Sequence, residues 1–183
     1  VENTDEVSPA RALATIVKVF GMSRITDKYG PIPYSKFGTG IHVAYDSQKD
    51  VYYRFFEELA DAIDVLTGYN SRTSEPYMER YDYIYNGRVE KWIKFANSLK
   101  LRLAIRISYA NKKLAQEMAE SAVKHEFGVI ESNEDNAKWN YFGTIPNPLY
   151  TAVRYNEETS GGDSHVAADI VCYMNGYADA RRA

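Results

Sequence analysis

The stretch KWIKFANSLKLRLAIRIS, Lys91 to Ser108, constrains the fold more than any other part of the chain. Trp92, Phe95, Ala96, Leu99, Leu103 and Ile107 recur at helical spacing and form one apolar stripe. Leu101 and Ile105 point the opposite way. A helix that is apolar on two sides belongs between neighbours. Arg102 and Arg106 flank the main stripe, where their stems can cover apolar surface while the charged heads reach water. Glu90 stands four residues before Lys94, the spacing of a helical ion pair. Such a helix, starting near Gly87, calls for a layered helical array with a partner on each side.

The rest of the chain supplies those partners. Ser8-Pro9 is a helix start, a capping hydroxyl followed by proline at the first helical position. Leu13, Ile16, Val17 and Phe20 follow at i, i+3, i+4 and i+7, and Gly30, Pro31 and Pro33 stop the helix. Ser47 with Asp50 resembles a capping box. Tyr52, Phe55, Phe56, Leu59, Ile63 and Leu66 then hold one face, and Thr67-Gly68 reads as the end. A polar, Tyr-rich connection runs from Tyr69 to Asn86. Beyond the turn at Tyr109, Ala110 and Asn111, a helix is expected over Lys112 to Phe127, closed by Gly128. Its Ala115, Met118, Ala119 and Ala122 make a face of mostly small residues, which allows close approach in an antiparallel hairpin with the preceding helix. Residues 129 to 163 read as irregular, with at most a short strand. Ser164 is expected to cap a last helix through Ala167, Ile170, Val171 and Met174 to Asn175-Gly176. The fold class is therefore all-α: antiparallel helix pairs in a tetratricopeptide-like array with long irregular loops. Its 183 residues match one helical domain, 1 to 183.

Composition narrows the function. A net charge of −3 gives no nucleic-acid surface. No run of 18 apolar residues is present, so no spanning helix is expected. Val1 to Asp5 is polar and does not read as a signal peptide. The lone Cys172 excludes an internal disulfide. No phosphate-binding loop or dinucleotide fingerprint occurs. His42, His125 and His165 are isolated, so no metal site and no cofactor is expected. The segment GGDSH, Gly161 to His165, reads as a glycine loop with a helix cap rather than a serine-hydrolase block. Glu57, Glu58, Asp61 and Asp64, and Glu131, Glu134 and Asp135, are solvated carboxylates in the same reading. A glycosidase would need two of them across a cleft.

The aromatic residues are unusual: 16 Tyr, 7 Phe and 2 Trp. Many lie outside the helical stripes, among them Tyr29, Tyr34, Phe37, Tyr45, Tyr69, Tyr77, Tyr85, Phe142, Tyr150 and Tyr155. Loops ordinarily favour small polar residues. Aromatic side chains there either pin the connections to the scaffold or offer flat amphipathic faces to a ligand such as a sugar ring. The candidate ligand-binding residues on this chemistry are Trp139, Tyr141, Tyr81 and Tyr83.

Three blocks in order resemble the SusD/RagB-like family of Bacteroidetes. RITDKYGPIPYSKF (Arg24 to Phe37) resembles the family's helix running into D-x-Y-G-x-I-P-Y. YDSQKDVYYRFFEELADAIDVL (Tyr45 to Leu66) is similar to its next helix. YNGRVEKWIKFANSLKLRLAIRIS (Tyr85 to Ser108) is similar to its most recognisable stretch, and MNGYADARRA to a later block. The resemblance covers nearly the whole chain. Family members are longer, so it implies a central segment, without the N-terminal anchor region and the C-terminal part. It implies a surface-exposed outer-membrane lipoprotein with no catalysis, which binds oligosaccharide and delivers it to a SusC-like TonB-dependent transporter. Lys91 to Ser108 is then scaffold, with no residue on ligand. A peptide-binding relative and a pure protein–protein adaptor are the alternatives.

Overall fold

The computed structural model describes residues 8–139, 147–150 and 167–182. The chain divides into two compact units, Val1–Lys138 and Trp139–Ala183. The first holds helices α1 (Pro9–Tyr29), α2 (Gln48–Arg72), α3 (Val89–Arg106) and α4 (Lys112–Val123). Each packs on the next in the chain, and α1 only brushes α3. That is the layered antiparallel array expected from the sequence. Among the described residues the only β pairing is a single antiparallel bridge, Ile32 to Asp46.

Helix α1 begins as expected, with the Ser8 hydroxyl accepting from the Arg11 N–H (3.3 Å). It ends at Gly30, whose N–H donates to the Thr26 carbonyl (2.8 Å). Its buried face is Ala12, Ile16, Val19, Ser23 and Thr26, so the expected stripe is rotated and Val17 lies half-exposed outside it. Two hydroxyls can be buried there because each finds a local carbonyl: Ser23 donates to Phe20 (2.9 Å) and Thr26 to Gly30 (2.7 Å).

Helix α2 starts on Ser47, which accepts from the Asp50 N–H and donates to its carboxylate (2.6 Å). All six residues of the expected stripe are buried. The helix does not stop at Thr67-Gly68 but continues to Arg72. Gly68 is helical here rather than left-handed. Its carbonyl accepts from the Ser71 hydroxyl and Arg72 Nε, and Tyr69 packs edge-on against Tyr77 (5.1 Å between ring centres). Those contacts hold the extra turn.

Helix α3 lies between α2 and α4, and its second covered side is Ile93, Asn97, Lys100 and Ala104. Leu101 is only part-buried and Ile105 is 63% exposed, so the second apolar side expected from sequence is not the covered one. Polar residues take two of the buried places, each beside a favourable neighbour, although Asn97 Oδ1 has no hydrogen-bond partner among the described residues. Asn97 donates to the Gly128 carbonyl beyond α4 (2.9 Å). Lys100 lies near the Asp64 charge, and burial lowers its pKa. The expected Glu90–Lys94 pair gives way to a longer-range one, Lys94 to Asp135 (2.9 Å).

Asn111 caps α4 by accepting from the Leu114 N–H (3.2 Å), and Ala115 and Ala122 are buried as the small face predicts. The helix ends at Val123, with Lys124 at its cap position, rather than at Phe127. There the chain turns: the Phe127 N–H donates to His125 Nδ1 (3.3 Å) and Gly128 takes a positive φ of 63°. In the second unit, Pro148–Tyr150 forms a single helical turn (α5) and Ala168–Gly176 a short helix (α6) with Ala167 at its cap position. Ser164, the expected cap, lies outside the described residues.

Two glycines test this reading. An added Cβ at Gly87 (φ +78°) would sit 2.9 Å from the Tyr77 carbonyl oxygen and 3.0 Å from Glu79 Cα. At Gly68 it would meet nothing within 4 Å. In urea melts, Gly87→Ala should destabilise by about 2 kcal/mol or more, whereas Gly68→Ala should stabilise by about 0.5 to 1 kcal/mol. A destabilising Gly68→Ala would mean that α2 ends where the sequence first suggested.

Asp135 supplies a second test. The Lys94 ammonium bonded to it holds its pKa below the usual carboxylate range, with Lys91 (3.6 Å) adding to the effect. A carboxylate so depressed stabilises the fold fully above about pH 4, and that contribution is lost as pH falls through its folded value. Asp135→Asn should therefore lower the urea midpoint at pH 7 and converge with the wild type near pH 2.

Candidate ligand-binding surface

The connection from Thr73 to Arg88 leaves α2 and must satisfy its backbone on the way back to α3 with a single 3-10 turn, Glu79–Tyr81, as its regular structure. A buried carboxylate does that work. Asp82 accepts from the N–H groups of Ile84 (3.0 Å), Tyr85 (3.1 Å) and Gly87 (2.8 Å) and from the Trp92 indole N–H (2.8 Å). Its oxygens are thus paired inside a loop where only 8% of the residue is exposed. Asn86 and Gly87 both take positive φ, and the Tyr77 N–H closes the base of the loop on the Gly87 carbonyl (2.8 Å). Tyr85 is buried edge-on against Trp92 (5.4 Å), and its hydroxyl donates to the Asp135 carbonyl (2.8 Å). Burial, with Asp135 and Asp82 nearby, pushes that phenol up to about 12.

The consequence is an alternation. Asp82 and Tyr85 point in, while Tyr81 and Tyr83, on either side of Asp82, are 69% and 45% exposed. The two tyrosines proposed from sequence are therefore brought together on one loop with a fixed base. Trp139, 58% exposed, opens the second unit, and Tyr141 lies outside the described residues.

The remaining loop aromatics divide between the two jobs. Tyr34 packs edge-on against Phe55 (5.2 Å), and its hydroxyl donates to Glu58 (2.5 Å), which also binds Lys18 (2.8 Å). Burial and that carboxylate drive the Tyr34 pKa far above the ordinary phenol value. Tyr69, Tyr77 and Tyr85 are pins of the same kind. Tyr29, Phe37, Tyr45 and Tyr150 are exposed. Phe142 and Tyr155 lie outside the described residues.

Three of the seven carboxylates singled out by sequence are engaged: Glu57 with Arg54, Glu58 with Tyr34 and Lys18, Asp135 with Lys94 and Lys91. A cleft of about 340 Å3 holds Asp46, Asp50 and Glu57. Asp46 binds the backbone and hydroxyl of Ser35, Asp50 belongs to the cap of α2, and Glu57 faces Arg54. Among the described residues no group of three or more histidine, cysteine or acidic side chains gathers to hold a metal. Sequence reasoning missed Asp82, Gly87 and Trp92 as the residues that shape the surface. The signal was there in Asn86-Gly87, a pair suited to consecutive positive φ angles.

The chain resembles known proteins along its whole length. The family model described as Susd and RagB outer membrane lipoprotein matches residues 1–183. A SusD homologue from Bacteroides uniformis is 60% identical, with a TM-score of 0.86, over 94% of this chain and 35% of its own. A chitin-binding SusD homologue from Flavobacterium johnsoniae is 40% identical, with a TM-score of 0.86, over 96% of this chain and 36% of its own. A SusD homologue from Bacteroides vulgatus is 35% identical, with a TM-score of 0.85, over 98% of this chain and 35% of its own. The chain thus spans about a third of the length of these relatives. Comparison with curated proteins finds no match. Family model, fold and sequence identity agree, and the chain belongs to the SusD-like family of outer-membrane lipoproteins.

Proposed function

We propose that this chain is part of a non-catalytic, surface-exposed protein that binds oligosaccharide at the outer membrane and passes it to a SusC-like TonB-dependent transporter. The observation that carries the reading is the Tyr81–Asp82–Tyr83 arrangement. Two phenol rings face solvent on a loop whose base is locked by a buried carboxylate. Tyrosine suits this task because its ring covers the apolar C–H face of a sugar while its hydroxyl meets the rim. A fixed base lowers the conformational entropy lost on binding. Trp139 offers a larger face of the same kind in the second unit. The chitin-binding relative supports a glycan as ligand class. The acidic side chains that share a cleft, Asp46, Asp50 and Glu57, are each held in a cap, a turn or an ion pair, which supports capture rather than hydrolysis.

The test is affinity for a panel of neutral oligosaccharides, chito-oligosaccharides included, with peptides screened beside them. For whichever glycan binds, Tyr81→Ala, Tyr83→Ala and Trp139→Ala should each weaken binding by about 1 to 3 kcal/mol. The melting temperature of the Tyr81 variant should hold, since that ring is largely exposed. Unchanged affinity in all three variants, or binding of peptides alone, would overturn the assignment.

A further inference from the structure

A second, chemically different cleft opens at one end of the array. It has a volume of about 470 Å3 and lies where the last turn of α1, the first turn of α2 and the end of α3 meet. That volume is in the range of small-molecule sites. Three charged side chains line it: Asp27, Lys49 and Arg106. Asp27 is fully used, one oxygen accepting from Arg106 Nε (2.9 Å) and the other from the Tyr52 hydroxyl (2.6 Å). Arg106 Nε also reaches the Tyr52 hydroxyl (3.3 Å). The arginine is therefore anchored through one nitrogen, and among the described residues nothing meets its two terminal nitrogens. Lys49 lies over the Tyr53 ring, 5.5 Å from its centre, and has no carboxylate partner among the described residues. Two cations thus stand against one neutralised carboxylate, which leaves the lining one positive charge.

The neutral groups specify more. Tyr53 accepts from Asn111 Nδ2 (3.0 Å), so its own O–H is left to donate. Gln48 gives Nε2 to the Thr26 carbonyl (2.9 Å), so its side-chain oxygen is left to accept. Ile107 and Ala110 add apolar surface. A bare inorganic anion would use the cations and leave the rest idle.

We infer that this cleft binds a small carboxylate-bearing sugar, with the carboxylate on the terminal nitrogens of Arg106 and on Lys49, and the hydroxyls on Tyr53 and Gln48. The planar guanidinium fork matches a carboxylate in geometry, and one uncompensated charge matches a monoanion. Arg106 sits at the very end of the helix that the sequence marks as pure scaffold, so one residue of α3 acquires a ligand. The inference shares no residue with the Tyr81–Tyr83 surface and does not rest on glycan capture there.

Calorimetric titration of the intact chain with D-glucuronate at low salt tests it, with glucose and inorganic phosphate as comparisons. Saturable glucuronate binding is expected, with glucose and phosphate each at least about tenfold weaker. Lys49→Gln, which breaks no hydrogen bond or ion pair, should weaken glucuronate about tenfold. Arg106→Lys keeps the charge but loses the fork, and should weaken it comparably. The Lys49→Gln melting temperature should equal that of the wild type, which separates lost binding from lost folding. Absence of saturable glucuronate binding, equal binding of glucose or phosphate, or wild-type affinity in both variants would each overturn the inference. Loss of neutral-glycan binding in the Tyr81 or Tyr83 variants would leave it standing, so the two readings fail separately.

Discussion

A carboxylate taken out of water must be met by donors, and Asp82 meets four of them. Three are backbone N–H groups of the loop and the fourth is the indole of Trp92, on the first turn of α3. One side chain therefore decides both the shape of the connection and where it is tied to the scaffold. Charged acceptors make stronger hydrogen bonds than neutral ones, so a single residue can hold a sixteen-residue stretch that has no sheet or long helix of its own. The exposed pair Tyr81 and Tyr83 follows from that tie, since the residue between them is committed inward.

The scaffold beneath is built by the same economy of polar ties placed at the edges of an apolar core. Tyr52, Phe55, Leu59, Ile63 and Leu66 of α2 pack with Ile93, Leu99 and Leu103 of α3 in one cluster. Around it, Asp27, Tyr52 and Arg106 join α1, α2 and α3, and Lys94 with Asp135 joins α3 to the chain beyond α4. Burial and the neighbouring Asp27 raise the Tyr52 phenol to about 12, so it remains a hydrogen-bond donor throughout the physiological range. These ties do not drive the packing, which the apolar contacts supply. They fix the register of the helix ends.

Much of this was legible in the sequence because the determinants are local. Ser8, Ser47 and Asn111 cap helices with side chains that reach only three residues along. The stripe of α2 repeats for four turns and can face only one way. The pattern failed where two faces competed. On α3 the apolar Leu101 and Ile105 were the obvious second face, yet Asn97 and Lys100 are the buried ones. Hydropathy cannot see that Asn97 has a carbonyl waiting at Gly128 or that Lys100 has Asp64 nearby. Gly68 failed for a related reason: glycine permits a helix end without requiring it, and the contact between Tyr69 and Tyr77 decided for continuation.

The amino-acid order by itself determined the all-α class, the pairing of neighbouring helices, the family and the excess of aromatic residues in the loops. Each of those depends on spacing or on composition, which the chain carries in one dimension. Tertiary structure alone decided which aromatics are pins and which face solvent. Tyr85 and Tyr81 are the same residue type four positions apart, and one is buried while the other is exposed. The difference is the place of Trp92, on the next helix, and of Asp135, fifty residues further along the chain, whose contacts bury the Tyr85 ring and not the Tyr81 ring.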